Sequence, residues 1–176
     1  MIRNFTTNNI NISPSFGSRV NIVNTTSSGA GSNQTGNGIT IGTGRVTIFV
    51  TISRSSLIGN AGSGLAVSSG AFPSARAAVS VSDTVLSNNL YGVSVTNQGN
   101  DSVVTLESSR LSGNGNCGIS VATTGSTVRL SRSAVTLNGF GACFNGGAVT
   151  SLGTNLISDN SQGDASGGMI GTFPQK

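Results

Sequence analysis

The sequence predicts an all-β fold, a single-stack right-handed parallel β-helix (solenoid) of about six to seven coils of 22–29 residues. One observation is a motif of apolar and polar residues that recurs in the same order along most of the chain. A second is that short segments of alternating apolar and polar residues flank each copy. Repeats of this length are typical of architectures in which each repeat is one supersecondary unit stacked on its neighbours. This regularity argues against a disordered Gly/Ser-rich chain.

The repeat is anchored by the motif (S/T)-x-(L/V/I)-x-x-N. Its five copies, the last of them degenerate because it begins with Asn155, end in Asn60, Asn89, Asn114, Asn138 and Asn160, at spacings of 29, 25, 24 and 22 residues. Asparagine tolerates the left-handed backbone angles of a sharp turn, and stacked amides can donate to and accept from one another. We therefore expect these asparagines to form a structural ladder along one corner of the coil rather than a catalytic set.

Two kinds of short strand flank each motif. An alternating strand precedes it, containing Val50, Val79, Val104 and Val128 in successive copies, and a Gly-apolar-x-apolar segment follows it, starting at Gly64, Gly92, Gly118 and Gly141. Alternation places the apolar residues on one face of each strand. Coiling then stacks the four valines in one internal column. A second internal column is expected to contain Leu57, Leu86, Leu111, Val135 and Ile157. The glycine is expected to supply a strained backbone position.

The order of strands separates a solenoid from a sandwich. An antiparallel sandwich shows turn signals every 8–12 residues or so without a longer repeat, whereas this chain repeats the same three-strand order every 22–29 residues. The connection rule for parallel strands then favours a right-handed coil.

We expect one domain over residues 1–176, with irregular coils in 1–44, regular coils in 45–172 and a tail in 173–176. Ile10–Ile12 matches the third strand of an earlier coil, so the chain opens in mid-coil. The segment 29–38 reads as an insertion or a mobile loop, and Gly168–Ile170 reads as one more third strand.

Other insertions are expected at one junction only, after the Gly-apolar-x-apolar strand, in segments 68–76, 96–101 and 122–126. Solenoids commonly build binding surfaces from insertions on one face. The ligand-binding candidates near these loops are Phe72, Arg76, Tyr91, Asn97 and Asp101.

Charge and hydropathy exclude some partners. Only 8% of the residues are charged, and the net charge of +4 comes from eight scattered arginines and Lys176 against five acids, so we expect no nucleic-acid binding. No apolar run is long enough to span a membrane, and we expect no membrane insertion. The N-terminus lacks the apolar core of a signal peptide. The protein is therefore either cytoplasmic, or a signal and upstream coils precede this sequence.

The two cysteines, Cys117 and Cys143, leave three interpretations open: buried small apolar side chains, a disulfide, or a reactive group. They lie one coil apart but at different points of the repeat, because Cys117 precedes its glycine and Cys143 follows Gly141 by two residues. This offset argues against a disulfide.

The sequence offers few groups for catalysis. It contains no histidine and no P-loop, so we expect no metal site, no cofactor and no His-based mechanism. The weak catalytic candidates are Asp83, Glu107 and Arg132. Repeat alignment places Asp83 beside Arg54 as a surface ion pair and Glu107 beside Arg129. The other acids, Asp101, Asp159 and Asp164, fall in predicted loops or turns and do not converge on a calcium site.

One outward column contains Thr51, Ser80, Thr105 and Arg129. Flat threonine rows are typical of ice-binding solenoids, but Arg129 interrupts this one. A hydroxyl-bearing face can instead bind a glycan, for which an aromatic platform is usual. Tyr91 and Phe72 are the aromatic candidates near the inserted loops.

The units V-x-V-x-x-(S/T)-x-(L/V)-x-x-N and G-(V/I)-x-V resemble the right-handed parallel β-helix repeats of the pectate-lyase-like superfamily. Segment 146–155, with Asp159 and Asn160, resembles the last coil of bacterial β-helix repeat proteins of unassigned function. The resemblance covers residues 45–172 well and 1–44 loosely. It implies the fold and a secreted or cell-surface location. This scaffold hosts lyases, hydrolases, epimerases, adhesins and phage proteins, and the superfamily's catalytic clusters do not map onto this chain.

We therefore expect a non-enzymatic β-helix binding or structural module that recognises a polysaccharide, a surface glycan or another cell-surface partner. The alternative is a polysaccharide lyase-like or hydrolase-like protein, or a fragment of one. An enzyme must bring two acids, or an acid and an arginine, together in a groove beside the inserted loops. No capping helix is visible, so exposed terminal coils are expected to allow a homo-oligomer.

Overall fold

The computed structural model describes residues 1–98 and 101–173, and these contain 21 β-strands in three sheets, numbered β1 to β21 in chain order, and no helix. Sheet A contains β1 (Ile2–Arg3), β4 (Thr26–Ser28), β7 (Ser56–Ile58), β10 (Val85–Ser87), β13 (Arg110–Ser112), β16 (Ala134–Thr136) and β19 (Leu156–Ser158). Sheet B contains β2 (Ile10–Ile12), β5 (Ile39–Thr43), β8 (Ser63–Ser69), β11 (Tyr91–Asn97), β14 (Cys117–Val121), β17 (Phe140–Phe144) and β20 (Gly163–Ser166). Sheet C contains β3 (Ser18–Val23), β6 (Thr47–Ser53), β9 (Arg76–Ser82), β12 (Ser102–Glu107), β15 (Ser126–Ser131), β18 (Ala148–Ser151) and β21 (Gly171–Thr172).

Each coil contributes one strand to each sheet, in the order A, B, C. Neighbours within a sheet are three strands apart in the chain, and every pairing is parallel. Seven strands in a sheet correspond to about six turns of the chain between the first strand and the last in the described residues. The predicted single-stack β-helix is confirmed, and the connection rule gives its right-handed sense.

Three corners join the sheets. The A–B corner comprises segments 4–9, 29–38, 59–62, 88–90, 113–116, 137–139 and 159–162. The B–C corner comprises segments 13–17, 44–46, 70–75, 122–125, 145–147 and 167–170, together with residues 98 and 101. The C–A corner comprises segments 24–25, 54–55, 83–84, 108–109, 132–133 and 152–155.

The two predicted apolar columns are confirmed. In sheet C, Val50, Val79, Val104 and Val128 are successive register partners and are buried. In sheet A, the second column runs in register through Leu57, Leu86, Leu111, Val135 and Ile157. Burying a side chain of this size stabilises the fold by about 1.5–3 kcal/mol. A one-residue slip would turn such a column outward, so the columns fix the register of the coils.

The asparagine ladder is confirmed at the A–B corner. The Nδ2 groups of Asn60, Asn89, Asn114 and Asn138 each donate to Oδ1 of the next asparagine, at 2.9, 3.2, 2.8 and 3.0 Å. Nδ2 of each asparagine from Asn89 onward also donates to a buried carbonyl of the preceding coil.

Of the two reasons predicted for the asparagines, amide stacking is confirmed and a left-handed backbone is wrong. The left-handed backbone belongs to the residue before each ladder asparagine, as in Gly59 (φ 62), Asn88 (φ 56) and Gly113 (φ 66). The asparagines themselves have no positive φ among the described residues. Amide stacking alone therefore explains these positions, and the turn is made by the neighbouring residue.

The glycines that open the third strands also have a different role from the one predicted. None of Gly64, Gly92, Gly118 and Gly141 has a positive φ. A Cβ at Gly92 would lie 2.5 Å from the carbonyl oxygen of Gly118 and 3.0 Å from Nδ2 of Asn114. Glycine is therefore required for close packing against the asparagine ladder rather than for backbone freedom.

A second polar ladder, not predicted, follows the C–A corner. The backbone N–H groups of Ser55, Thr84 and Ser109 donate to the hydroxyl of the equivalent residue in the next coil, at 3.3, 3.3 and 3.1 Å. Each hydroxyl in turn donates to the carbonyl two residues earlier in its own chain segment. The (S/T) position of the repeat thus pairs a buried backbone group that the turn would leave without a partner.

The first 44 residues form coils as well. Ile10–Ile12 pairs with β5, as predicted. Strand β4 was missed because Ser27 occupies the position of a leucine in the second apolar column. Segment 29–38 is the longest connection in the described chain, and Ala30 and Gly36 accept hydrogen bonds from the next coil. This insertion lies at the A–B corner, whereas the other insertions were predicted after the third strand, at the B–C corner, where the connection 70–75 lies.

The last coil differs from its prediction. The third strand is β20, whose Ala165 pairs with Ala142, and Gly168–Ile170 belongs to the B–C corner. Asp164 thus lies in a strand, at the position that glycine holds in earlier coils. Because this coil lacks the glycine that marks the third strand, the strand was not predicted here. Of the predicted tail, residues 174–176 lie outside the described residues.

Cys117 and Cys143 form a disulfide with their Cα atoms 6.1 Å apart, so the argument from their offset was wrong. That argument assumed straight strands. The β14–β17 ladder passes from the Cys117–Phe140 pair to the Ile119–Ala142 pair and leaves out the glycine between them. Inward–outward alternation also fails at this point of β14. The strands bend at the glycine column, which shortens the distance along them.

In the described part of the chain, no helix has the length and apolar character that a membrane span needs.

Candidate functional site

The outer face of sheet C carries an open groove of about 280 Å³. Its lining side chains come from the first four strands of the sheet and are Arg19, Phe49, Thr51, Ala78, Ser80, Val103 and Thr105. The buried Val50 and Val79 also contribute to its floor. A second depression of about 430 Å³ shares Arg19 and Phe49 and continues the surface toward the start of β3 and β6, where Gly17, Ser18 and Thr47 line it.

A change in side-chain size along one column creates the groove. Strand register places Arg19, Phe49, Ala78 and Val103 side by side in four successive coils. The large ring of Phe49 thus stands beside the small Ala78, about 4.8 Å away along the sheet. The drop in size leaves one edge of the ring facing open space above Ala78.

Phe49 forms an exposed aromatic platform. Its side chain is 45% exposed, and the Arg19 guanidinium carbon lies 4.8 Å from the ring centroid, a cation–π contact. Because Arg19 comes from the preceding coil, it supports the ring on the side away from Ala78. The arrangement holds an apolar surface and a positive charge next to each other at one end of the groove.

The column of Thr51, Ser80 and Thr105 forms the polar side of the groove, in register as predicted and continued by Arg129. Within the residues that the structure describes, none of these three hydroxyls forms a hydrogen bond. They are the groups in the groove best placed to exchange hydrogen bonds with a ligand.

Phe49 and Arg19 were not among the predicted site residues. Alternation along β6 already placed Phe49 on the same outward face as Thr51. Aligning Val20 with Val50 would also have placed Arg19 beside Phe49. Both signals were present in the sequence, but the first coil matches the repeat only loosely.

The weak catalytic candidates lie at the border of sheet C and the C–A corner. Glu107 and Arg132 form an ion pair, the one salt bridge within residues 1–98 and 101–173, and their side chains are 46% and 61% exposed. Glu107 therefore pairs with Arg132 rather than with Arg129, since its register partner is Ser131, the residue next to Arg132, whereas Arg129 is in register with Thr105. The predicted Asp83–Arg54 ion pair is wrong, since Arg54 donates to Oδ1 of Asn24 instead.

The predicted ligand-binding residues do not form one site. Phe72 lies in the B–C corner under the guanidinium of Arg45, 4.1 Å from the ring centroid. Arg76 begins β9 and is exposed, and Asp101 is exposed in the connection before β12. Tyr91 accepts a hydrogen bond from Asn116 near the A–B corner.

Asn97 is 3% exposed and ends strand β11 instead of belonging to a loop. Its side chain points inward because Val93, Val95 and Asn97 occupy alternate positions of one strand. It is therefore not accessible to a ligand on the surface.

In the described residues, no three side chains of the metal-binding types His, Cys, Asp or Glu lie close enough together to hold a metal ion. Neither acidic nor histidine side chains line the groove. Its chemistry is that of an aromatic ring, an arginine and hydroxyl groups, which suits recognition of a hydroxylated ligand.

Comparison with protein-family models, with curated proteins and with solved structures finds no match to this chain.

Proposed function

We propose that this chain is a non-enzymatic β-helix module that binds a glycan in the groove on sheet C. One observation carries the proposal: the exposed ring of Phe49 stands beside a row of unpaired hydroxyls in an open groove. A sugar ring presents C–H groups on its face and hydroxyls at its edge. The groove matches both, with Phe49, Ala78 and Val103 on one side and Thr51, Ser80 and Thr105 on the other.

The shape of the groove favours an extended ligand. It crosses strands of successive coils and is open to solvent along its length, so a polysaccharide segment can lie in it without a free end. Arg19 adds a charge-assisted donor for hydroxyl or carboxylate oxygens. No carboxylate is among the lining residues, and Glu107, two residues along β12 from Thr105, is neutralised by its ion pair with Arg132.

The finer assignment to the pectate-lyase-like superfamily and to bacterial β-helix repeat proteins is part of this proposal, and the repeat pattern supports it. The Cys117–Cys143 disulfide supports a secreted or cell-surface location, because disulfides persist mainly in oxidising compartments.

The test is a glycan-array screen followed by calorimetric titration with the best oligosaccharide. Phe49→Ala is expected to weaken binding about tenfold, because the loss of a stacked aromatic ring removes about 1–2 kcal/mol. Phe72→Ala is the matched control, since Phe72 is also an exposed phenylalanine under an arginine, 43% against 45% exposed, but lies outside the groove. Equal affinities for Phe49→Ala and the unchanged chain would refute the site.

The alternative function, a lyase-like or hydrolase-like protein, has one observation in its favour. Glu107 and Arg132 are in contact, and Glu107 lies two residues along β12 from Thr105 of the groove. Incubating acidic polysaccharides with the protein and calcium, and following the ultraviolet absorbance of unsaturated product, tests this directly. Turnover that Glu107→Gln abolishes would replace the binding-module proposal with an enzyme.

A further inference from the structure

The two ends of the solenoid are complementary in phase. The first coil starts in sheet A with β1, and the last coil finishes in sheet C with β21, so each sheet has the same number of strands. After a strand of sheet C, the coil order calls for a strand of sheet A. A second copy placed beyond β21 would supply that strand with its own β1 and would continue all three sheets in order.

The apolar core continues to both ends. Ile2 pairs with Ser27 and so lies in the same column as Leu57 and Ile157. In a stacked pair, Ile157 of one copy would face Ile2 of the next, and Ala165 would face Ile10. Ile10 and Ile157 are only partly buried, although both pack against the core. The open edges of the terminal strands also leave backbone donors and acceptors for pairing.

Charge is distributed unevenly along the rod. Residues 1–82 contain five arginines and no acidic residue, whereas residues 83–173 contain three arginines and five acids, a net charge of −2. The first coil carries Arg3 and Arg19, and the last carries Asp159 and Asp164, all four of them exposed. Opposite charges at the two ends favour head-to-tail contact and disfavour contact between like ends.

The strand register places one pair of opposite charges, Arg3 and Asp159, at the contact between two stacked copies. Arg3 follows Ile2 on the outer side of β1, and Ser158 and Asp159 follow Ile157. With the register continued between copies, Arg3 would stand opposite Ser158, next to the carboxylate of Asp159. Among the described residues, this carboxylate has Ser158 as its hydrogen-bond donor.

We propose that copies of this chain associate head to tail, with the last coil of one copy seated on the first coil of the next. Each contact uses two different surfaces and leaves one of each free at the ends. Such a heterologous contact, related mainly by translation along the rod, does not close and leads to an open filament.

The experiment measures the size of the purified 176-residue chain by light scattering and sedimentation velocity, from low micromolar to submillimolar concentration. We expect size to grow with concentration and to show no fixed upper limit. Arg3→Asp and Asp159→Lys are each expected to weaken association about fivefold or more, because each replaces an attraction at the junction with a repulsion. The double variant restores opposite charges and is expected to recover association.

Two control variants lie in the middle of the rod. Arg110→Asp changes the net charge as Arg3→Asp does, on the exposed face of β13 in the same sheet. Asp83→Lys matches Asp159→Lys, since both aspartates are exposed and have left-handed backbones, with φ 48 and φ 58. Circular dichroism verifies that every variant is folded.

A chain that stays monomeric over the whole range overturns the proposal. So does a closed dimer of fixed size, or association that the end variants and the mid-rod controls weaken equally. Recovery in the double variant supports it most strongly, because non-specific apolar aggregation does not depend on how two charges are matched.

Discussion

The A–B and B–C corners both bury a stack of polar side chains, but they pair these groups very differently. In the A–B corner, Asn114 donates from Nδ2 to Asn138 and to the Leu86 carbonyl, and its Oδ1 accepts from the backbone and side chain of Asn89. Beside the B–C corner, at the last positions of β5, β8 and β11, Thr43, Ser69 and Asn97 are stacked in register. There, Oγ1 of Thr43 and Nδ2 of Asn97 are buried without a partner in the described residues.

The difference separates a corner that specifies the fold from one that tolerates variation. A fully paired ladder penalises any slip of register, because each slip would leave several buried groups unsatisfied. The B–C corner bears the cost of two unpaired groups and connects its strands by three residues in 44–46 but six in 70–75. Loops at the B–C corner can therefore change in length without disturbing the coil. This is the corner at which the solenoid can acquire new surfaces.

The largest expected difference between the corners comes from adding one methyl group. Gly92→Ala would push a Cβ to 2.5 Å from the Gly118 carbonyl and 3.0 Å from the Asn114 amide. We expect it to lower the free energy of unfolding by about 3 kcal/mol, since neither neighbour can move without breaking the ladder. Gly44→Ala, at the B–C corner, is the control, because nothing lies within 4 Å of its added Cβ. Urea denaturation measures both, and equal losses would contradict the comparison.

A smaller effect is expected from removing one polar side chain at each corner. Asn114→Ala removes the Oδ1 that accepts from the backbone N–H and Nδ2 of Asn89, and the Nδ2 that donates to the Leu86 carbonyl and to Asn138 Oδ1. The Asn89 backbone N–H loses its side-chain acceptor at a buried position, and we expect a loss of about 2–3 kcal/mol. Asn97→Ala removes a single hydrogen bond, from Ser69 at 2.9 Å, and also removes an unpaired buried amide. We expect it to cost less than about 1 kcal/mol. If thermal and urea unfolding show Asn97→Ala to be as costly as Asn114→Ala, a partner for Nδ2 must exist.

The repeat made most of the fold predictable, because the residues of each column recur at equivalent positions in several coils. Val79 and Leu86, for example, have equivalents in neighbouring coils, so one alignment places them all. Prediction failed where a residue departs from its column. Ser27 in a leucine position concealed β4, and Asp164 in a glycine position concealed β20.

The candidate site was harder to predict because it depends on contacts between coils. Phe49 becomes a platform only because Arg19 stands on one side of it and Ala78 on the other. The disulfide depends on the bend of β14 and β17 at the glycine column, which strand alternation cannot express. Alternation with Val93 and Val95 indicates an inward side chain at Asn97, but the prediction included Asn97 in the inserted segment 96–101.

The smallest effect is expected within the A–B corner, at Leu137. Leu137 occupies the left-handed position that Gly59, Asn88 and Gly113 hold in other coils, with φ 59, and its side chain is 62% exposed. A left-handed backbone costs a leucine about 1–2 kcal/mol, and little burial offsets this cost. Relief of this strain in Leu137→Gly is therefore expected to raise the free energy of unfolding by about 1 kcal/mol. Part of this gain is offset because glycine increases the conformational entropy of the unfolded chain. Leu137→Asn, which tolerates the same conformation, separates these two contributions. A loss of stability in both variants, measured by urea denaturation, would mean that the exposed leucine makes contacts worth more than its backbone strain.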